Sequence, residues 1–224
     1  MKNSKEKDIG NGEKRYKVFL SLVSLFIAML TISNVLAFKL IELTPLLVAP
    51  AAVVAYSLTF LFTDVMVEIF GKEKSKFVVF AGFITQILVM IIIQIAIMLP
   101  SAGFFEQQEE FALVLSQSRR IIIASLIAYF ISQLWDIHIF TYIKKKTGEK
   151  FLWLRNNGST FTSQIIDTVI FITIAFVGTM GGNELFRLMI GQYLVKIIIA
   201  VIDTPIVYAL VYFIKNKIFN SEYN

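Results

Sequence analysis

Six stretches of this chain are apolar over at least the ~20 residues that a helix needs to cross the hydrocarbon of a bilayer. Apolar residue types make up 57% of the 224 residues, against about 45–50% in soluble domains. We therefore predict an all-α integral membrane protein with one six-helix transmembrane domain over 17–217. A disordered cytoplasmic tail is expected at 1–16, and a cytoplasmic C-terminal tail at 218–224. The predicted spans cover roughly 17–38, 46–70, 77–99, 119–143, 161–181 and 186–214.

The basic residues lie at the ends of these spans. Of 21 Lys and Arg residues, 16 fall on one side of the predicted bundle, and the opposite connections carry several Glu residues. The positive-inside rule then places both termini in the cytoplasm. A net charge of +5 can also indicate nucleic acid, but these charges form no soluble basic face, so we expect the lipid bilayer as partner and no nucleic acid.

Several kinds of chemistry are disfavoured by residue type. The chain has no cysteine and a single histidine, which excludes disulfides and thiolate metal sites and leaves little for any other metal centre. No Walker motif is present, so the chain is not expected to hydrolyse ATP itself. We predict neither a metal nor a cofactor.

Two near copies of a polar motif interrupt the apolar pattern. SQLWDIHIF at 132–140 ends the fourth span, and SQIIDTVIF at 163–171 opens the fifth. Within each copy the Gln and Asp are three residues apart, so they share a helix face. Because the fourth and fifth spans run antiparallel, both copies are expected at one level of the membrane. They would form two walls of a polar chamber.

Other spans also carry ionisable or amide side chains. Asp64 is eight residues from Lys72, which places it roughly 12 Å inside the cytoplasmic end of the second span. An ionisable residue at such a depth is by default a candidate functional residue, because its burial in lipid is costly. The remaining members of this set are Glu68 in the second span, Gln192, Lys196 and Asp203 in the sixth, and Asn34 in the first.

A structural role competes with a functional one for these residues. Amides in membrane helices often only bond neighbouring helices, at about 0.6–2 kcal/mol per contact. For Asn34, Gln86 and Gln94, such a structural role is weighed equally with a functional one. The five acids at 64, 68, 136, 167 and 203 face only Lys196 and Arg155, so ion pairing alone does not neutralise them. The cluster therefore indicates a ligand, hydration or protonation. An intramembrane aspartyl protease is a weaker alternative, since the accompanying amides suit binding better than hydrolysis.

Local breaks are also predicted. RNNGST at 155–160 contains Gly158 and indicates a bend before the fifth span, with Ser159 or Thr160 as N-cap. Pro205 predicts a kink in the sixth span. The acidic connection over 100–118 is expected to lie outside as a small cap or amphipathic segment.

Several blocks of sequence together are similar to the queuosine precursor transporter family. They are SN at 33–34, TDVMVEIFGKEKSK at 63–76, SLIAYFISQLWDIHIFTYIKKKTG at 125–148, WLRNNGSTFTSQIIDTVIFITIAF at 153–176, and Lys196 followed by DTPIVY at 203–208. The resemblance covers nearly the whole chain outside the N-terminal tail, in order. It implies a six-helix fold like that of the S-components, the substrate-binding subunits of vitamin transporters. It also implies uptake of preQ0, preQ1 or queuine across the bacterial cytoplasmic (inner) membrane. From the residue types above, the chain is not expected to be an enzyme.

The ring chemistry agrees with this resemblance. A guanine-like edge presents N1–H and an amine side by side, and one carboxylate can accept both, while an amide serves the carbonyl and ring nitrogens. A second carboxylate suits the aminomethyl cation of preQ1, and one acid could instead carry a coupling proton. The residues expected to line or border the site are Asn34, Asp64, Glu68, Gln133, Asp136, Arg155, Asn156, Gln164, Asp167 and Lys196.

Energy coupling is not encoded in any motif. The chain could be a secondary carrier, driven by protons or by metabolic trapping of the substrate. It could instead be an S-component-like subunit of an ATP-driven importer, with Ser24 and Ala28 on the first span as a docking surface. A homodimer is a further possibility.

Overall fold

The computed structural model describes residues 2–36, 39–44, 47–115, 119–148, 150–179 and 181–219. The chain forms seven helices and one β-hairpin within these ranges. Six of the helices are long and apolar enough to cross a membrane, which confirms the predicted number of spans. The elements are α1 (Lys2–Leu36), β1 (Leu40–Thr44), β2 (Leu47–Pro50), α2 (Ala52–Phe70), α3 (Lys72–Met98), α4 (Gln108–Leu115), α5 (Arg119–Thr147), α6 (Leu152–Phe176) and α7 (Gly182–Phe213), followed by a π-helical segment at Ile214–Phe219.

Helix α2 lies at the centre of the bundle and packs against α1, α3, α5 and α7. About two thirds of its most apolar window is buried within the protein, a larger share than in any other span among the described residues. Its apolar side chains Leu61, Val65 and Met66 join Phe26 of α1 and Ile137 of α5 in the main core. The outer spans instead expose apolar side chains, as expected of helices that face lipid.

Tight turns join the spans at one end of the bundle. Gly71 adopts φ +86° between α2 and α3, a conformation that side chains disfavour, and its N–H caps α2 through the carbonyl of Val67 at 3.1 Å. Gly148, at φ +60°, ends α5 in the same way. Lys144, Lys145 and Lys146 occupy the last turn of α5. We call this end of the bundle the basic end.

The opposite end carries the β-hairpin and α4, and we call it the hairpin end. Strands β1 and β2 pair antiparallel, with Leu40 opposite Pro50 and Ile41 opposite Ala49. Strand β2 contacts α7, so the hairpin covers this end of the bundle. Helix α4 occupies Gln108–Leu115 within the connection that was expected to hold a small cap.

Helix α1 begins at Lys2, before the first predicted span, and its Lys17 pairs with Glu13 at 2.7 Å. Two predicted boundaries were wrong. The second span begins at Ala52 and not at 46, because 47–50 pair as a strand. Helix α6 begins at Leu152, after Phe151 in a left-handed conformation, so RNNGST lies inside the helix without the predicted bend or N-cap.

The structure locates the proline predicted in the sixth span, whereas the predicted division of the chain into domains is a separate question. Pro205 lies within α7, as predicted. The division of the chain into a tail, one domain and a C-terminal tail stays a prediction, and 220–224 lie outside the described residues.

Candidate functional site

The two copies of the polar motif bond each other reciprocally. Ser132 of the first copy donates to Oδ1 of Asp167 in the second at 3.1 Å, and Ser163 of the second donates to Oδ1 of Asp136 in the first at 2.9 Å. These four residues are at most 3% exposed. Helices α5 and α6 form the most extensive helix pair of the bundle. The copies thus lie at one level, as the antiparallel arrangement predicted.

Asp167 is the centre of a closed network that links four helices. Its Oδ2 pairs with Lys196 Nζ from α7, and its Oδ1 accepts a 2.6 Å hydrogen bond from the Tyr56 hydroxyl of α2 as well as the bond from Ser132. Lys196 Nζ also lies 5.3 Å from the centroid of the Tyr56 ring. Both carboxylate oxygens are therefore bonded and the charge is neutralised. We call Tyr56, Ser132, Asp167 and Lys196 the Asp167 network.

Asp136 meets a second acid instead of a cation. Its carboxyl contacts that of Asp64 on α2, and both side chains are essentially inaccessible to solvent. Asp64 Oδ2 accepts only a long bond from Thr160 at 3.5 Å, and Asp64 Oδ1 and Asp136 Oδ2 have no hydrogen-bond partner. Among the described residues, no basic side chain forms an ion pair with either acid. The unpartnered oxygens of this acid pair can accept hydrogen bonds from a ligand or water.

A cavity of about 310 Å³ opens between α2, α6 and α7, and we call it the inner cavity. Asp64, Asn156 and Gln164 line it, and each carries an acceptor oxygen without a hydrogen-bond partner. Leaving buried polar atoms unpaired is costly, and such atoms are typically satisfied by water or ligand. The other lining residues are Ser57, Phe60, Leu61, Thr160, Lys196, Ala200, Asp203 and Val207.

Glu68 and Arg155 lie apart from this cavity, in an ion cluster at the basic end. Arg155 contacts both carboxylate oxygens of Glu68, at 2.9 and 3.0 Å, and Lys144 and Lys215 add contacts at 3.0 and 2.9 Å. Arg155 also donates to the carbonyl of Lys150 at 2.8 Å. The bonding capacity of both side chains is taken up within the protein, which favours a structural role for these two predicted site residues.

Asn34 belongs to a different cavity at the hairpin end, which we call the outer cavity. It encloses about 620 Å³, its open mouth included. Asn34 donates to Gln86, and Gln86 donates to Thr31 Oγ1 at 3.1 Å, so these amides tie α1 to α3. The lining residues come from α1 to α5: Leu30, Asn34, Tyr56, Gln86, Met90, Ile93, Gln94, Leu115, Ser125, Leu126 and Tyr129.

The structure thus divides the ten predicted residues into three groups. Gln133 donates to Thr59 at 3.2 Å beside the motif pair and retains an unpartnered oxygen. The acids, amides and lysine at 64, 133, 136, 156, 164, 167 and 196 gather around the inner cavity, 68 and 155 lie in the ion cluster, and 34 lies at the outer cavity.

Sequence reasoning missed Tyr56, the one residue of the Asp167 network that also lines the outer cavity. Aromatic residues are frequent in these spans, so its type alone gave no signal. Its position two helical turns before Asp64 on α2 could have indicated a related face. Thr160 was considered only as a helix cap, whereas it lines the inner cavity. Among the side chains that the structure describes, no group of three His, Cys, Asp or Glu residues could hold a metal ion.

Six spans around a cavity lined with acids and amides define a multi-pass membrane carrier for a small polar solute. The chain belongs to the family described as "Putative vitamin uptake transporter", whose model matches residues 50–210. This membership confirms a transporter of the cell membrane in place of an enzyme.

Three relatives carry a more specific name, which confirms the resemblance seen in the motifs. A "Probable queuosine precursor transporter" of Bacillus subtilis (strain 168) is 30% identical over 178 residues, which cover 79% of this chain and 77% of the relative. The "Queuosine precursor transporter" of Escherichia coli (strain K12) is 28% identical over 153 residues, 66% of each chain. A "Probable queuosine precursor transporter" of Haemophilus influenzae is 29% identical over 146 residues, 64% of this chain and 60% of the relative. No solved structure matches this chain.

Proposed function

We propose that this protein imports queuosine precursors, namely preQ0, preQ1 or queuine, through the inner cavity. The observation that carries the proposal is that three lining residues have buried acceptors without a hydrogen-bond partner: Asp64 Oδ1, Asn156 Oδ1 and Gln164 Oε1. Such a wall favours a ligand that donates several hydrogen bonds. The guanine-like edge of a deazaguanine does so through N1–H and its exocyclic amine, which one carboxylate can accept together. The names of the three relatives support the same ligand class.

The lining of the inner cavity suits a planar base. Phe60 and Leu61 supply an apolar surface beside the acceptors, and an aromatic ring can stack on a planar base. A flat, donor-rich heterocycle therefore satisfies both the polar and the apolar parts of the wall.

The path of the substrate follows from the two cavities. Tyr56 lines the outer cavity and Lys196 lines the inner one, and both bond Asp167. The Asp167 network thus lies where the two cavities approach each other. We place the basic end in the cytoplasm by the positive-inside rule, so a base entering from outside meets the outer cavity first. It would reach the inner cavity when the network opens.

Partners and energy coupling give the proposal two forms. Ser24 and Ala28 are both exposed on α1, so this face is available to lipid or to another subunit. As a secondary carrier, the purified protein alone moves labelled base into liposomes. As an S-component-like subunit, it binds the base alone but transports it only with an ATP-hydrolysing module. Copurification and reconstitution together distinguish the two forms.

Uptake of labelled preQ0, preQ1 and queuine by cells unable to synthesise queuosine tests the proposal. The variant Asp64→Asn removes the carboxylate, and its new amide can donate to Asp136, so the protein is expected to fold. We expect this variant to lose roughly tenfold or more of the uptake, as when a charged hydrogen-bond partner is removed.

The matched control is Glu73→Gln, an acid on α3 whose side chain is 84% exposed. It should transport like the wild type at equal membrane level. Absence of uptake of all three bases, both in these cells and in liposomes supplied with copurifying subunits, would refute the substrate assignment. Normal uptake by Asp64→Asn would remove the inner cavity from the path.

A further inference from the structure

Two acids, Asp64 and Asp203, line the inner cavity, and Asp203 belongs to neither the Asp64–Asp136 pair nor the Asp167 network. Asp203 lies on α7, seven residues after Lys196, or roughly 10 Å further toward the basic end. It lines the cavity across from Asp64, which projects from α2. Asp203 is partly exposed. An acid within a membrane span that faces a polar cavity is a candidate for ligand contact.

The charges around the cavity do not balance. Lys196, the basic residue in the cavity wall, is already paired with Asp167. Asp64, the other acid in the cavity wall, contacts Asp136, which is also an acid and supplies no positive charge. Among the side chains that the structure describes, no lysine or arginine forms an ion pair with Asp203. Among the described lining residues, the acids therefore outnumber the cations available to pair with them.

The unpartnered oxygens also favour a ligand that donates hydrogen bonds. Asp64, Asn156 and Gln164 line the cavity, are 1–3% exposed, and each carries a buried acceptor without a hydrogen-bond partner. These atoms satisfy the donors of a planar base edge, but they do not neutralise Asp203. A ligand that fills the cavity must therefore bring hydrogen-bond donors for the amides and a positive charge for the acid.

We propose that Asp203 binds a primary ammonium group on the transported base and makes this protein selective for the aminomethyl precursor over a neutral one. The inference rests on the proposed function. It extends that function by assigning the base edge to Asp64, Asn156 and Gln164 and the substituent to Asp203. Binding then brings one cation to an acid that has no ion-pair partner among the described residues.

Two bases with the same ring test the assignment. PreQ1 carries an aminomethyl cation, whereas preQ0 carries a neutral nitrile at the same carbon. We expect the wild type to take up preQ1 more efficiently. Asp203→Asn should lower the ratio of the kcat/KM for preQ1 to that for preQ0 by roughly tenfold, the effect of losing a partly buried charge pair. Asp203→Glu, which retains the charge, should keep the preference for preQ1.

Equal losses for both bases in Asp203→Asn would overturn the inference, because they indicate a general role such as carrying a coupling proton. A wild type that prefers preQ0, or an unchanged ratio in Asp203→Asn, would overturn it as well. These results leave the proposed function intact, since uptake still occurs. A wild type that neither binds nor takes up either base refutes the proposed function, and the inference with it. Membrane levels and melting temperatures of each variant separate these outcomes from misfolding.

Discussion

Replacing Glu68 by Gln separates a structural role of the ion cluster from a role in substrate binding. Glu68 is fully buried and accepts from Arg155, Lys144 and Lys215, and Arg155 itself is 1% exposed. Glu68→Gln keeps the shape of the side chain but leaves three cations facing a neutral amide. Removing one partner of a buried ion pair costs about 3–5 kcal/mol, because the other charge stays buried without compensation.

The structure places the expected loss at the lower end of this range. Lys144 and Lys215 are 26% and 38% exposed, so water screens their charges and their share is small. Arg155 also retains the carbonyls of Gly148 and Lys150 as acceptors. About 3 kcal/mol remains, which corresponds to a melting temperature lower by roughly 6–12 °C for a chain of this size.

The assay is thermal unfolding of purified protein in one detergent, followed by the loss of monodisperse material. Glu73→Gln on the exposed face of α3 is the control, since its contact with Lys76 at 4.0 Å is exposed and contributes at most about 1 kcal/mol. If Glu68→Gln melted no lower than this control, the structural reasoning would be wrong. A normal melting temperature together with lost uptake would support the assignment of Glu68 to the substrate site, which the sequence predicted.

Two further changes test the packing and the Asp167 network. Gly82→Ala should be destabilising, because a Cβ at this position would lie 2.8 Å from the Tyr129 hydroxyl in the core, whereas Gly158→Ala would meet only one terminal methyl at 3.0 Å and gains helix propensity. Melting curves of the two variants should differ clearly, and equal curves would contradict the packing argument. Tyr56→Phe removes the 2.6 Å donor to Asp167 and should cost about 1.5–3 kcal/mol, the range for hydrogen bonds to charged groups. A melting temperature equal to that of the wild type would show that this bond contributes nothing to the network.

The number of spans and the level of the repeated motif were readable from the sequence, because both depend on local patterns. Hydropathy over about 20 residues is enough to define a span. The level of the motif copies followed from one short connection, since consecutive spans must run in opposite directions. The bonds from Ser132 to Asp167 and from Ser163 to Asp136 are a direct result of that geometry.

Tertiary structure alone decided which polar residues work together. Asp64 and Glu68 share a helix face four residues apart, yet about 6 Å of rise separates an acid pair at the cavity from an ion cluster. Arg155 lies inside α6 and not in a bend, because its guanidinium reaches the buried Glu68. The partner of Asp167 on α7 is 29 residues away, a separation at which periodicity carries no information. Hydropathy and helix period are local properties of the chain, whereas charge pairing depends on which helices the fold brings into contact.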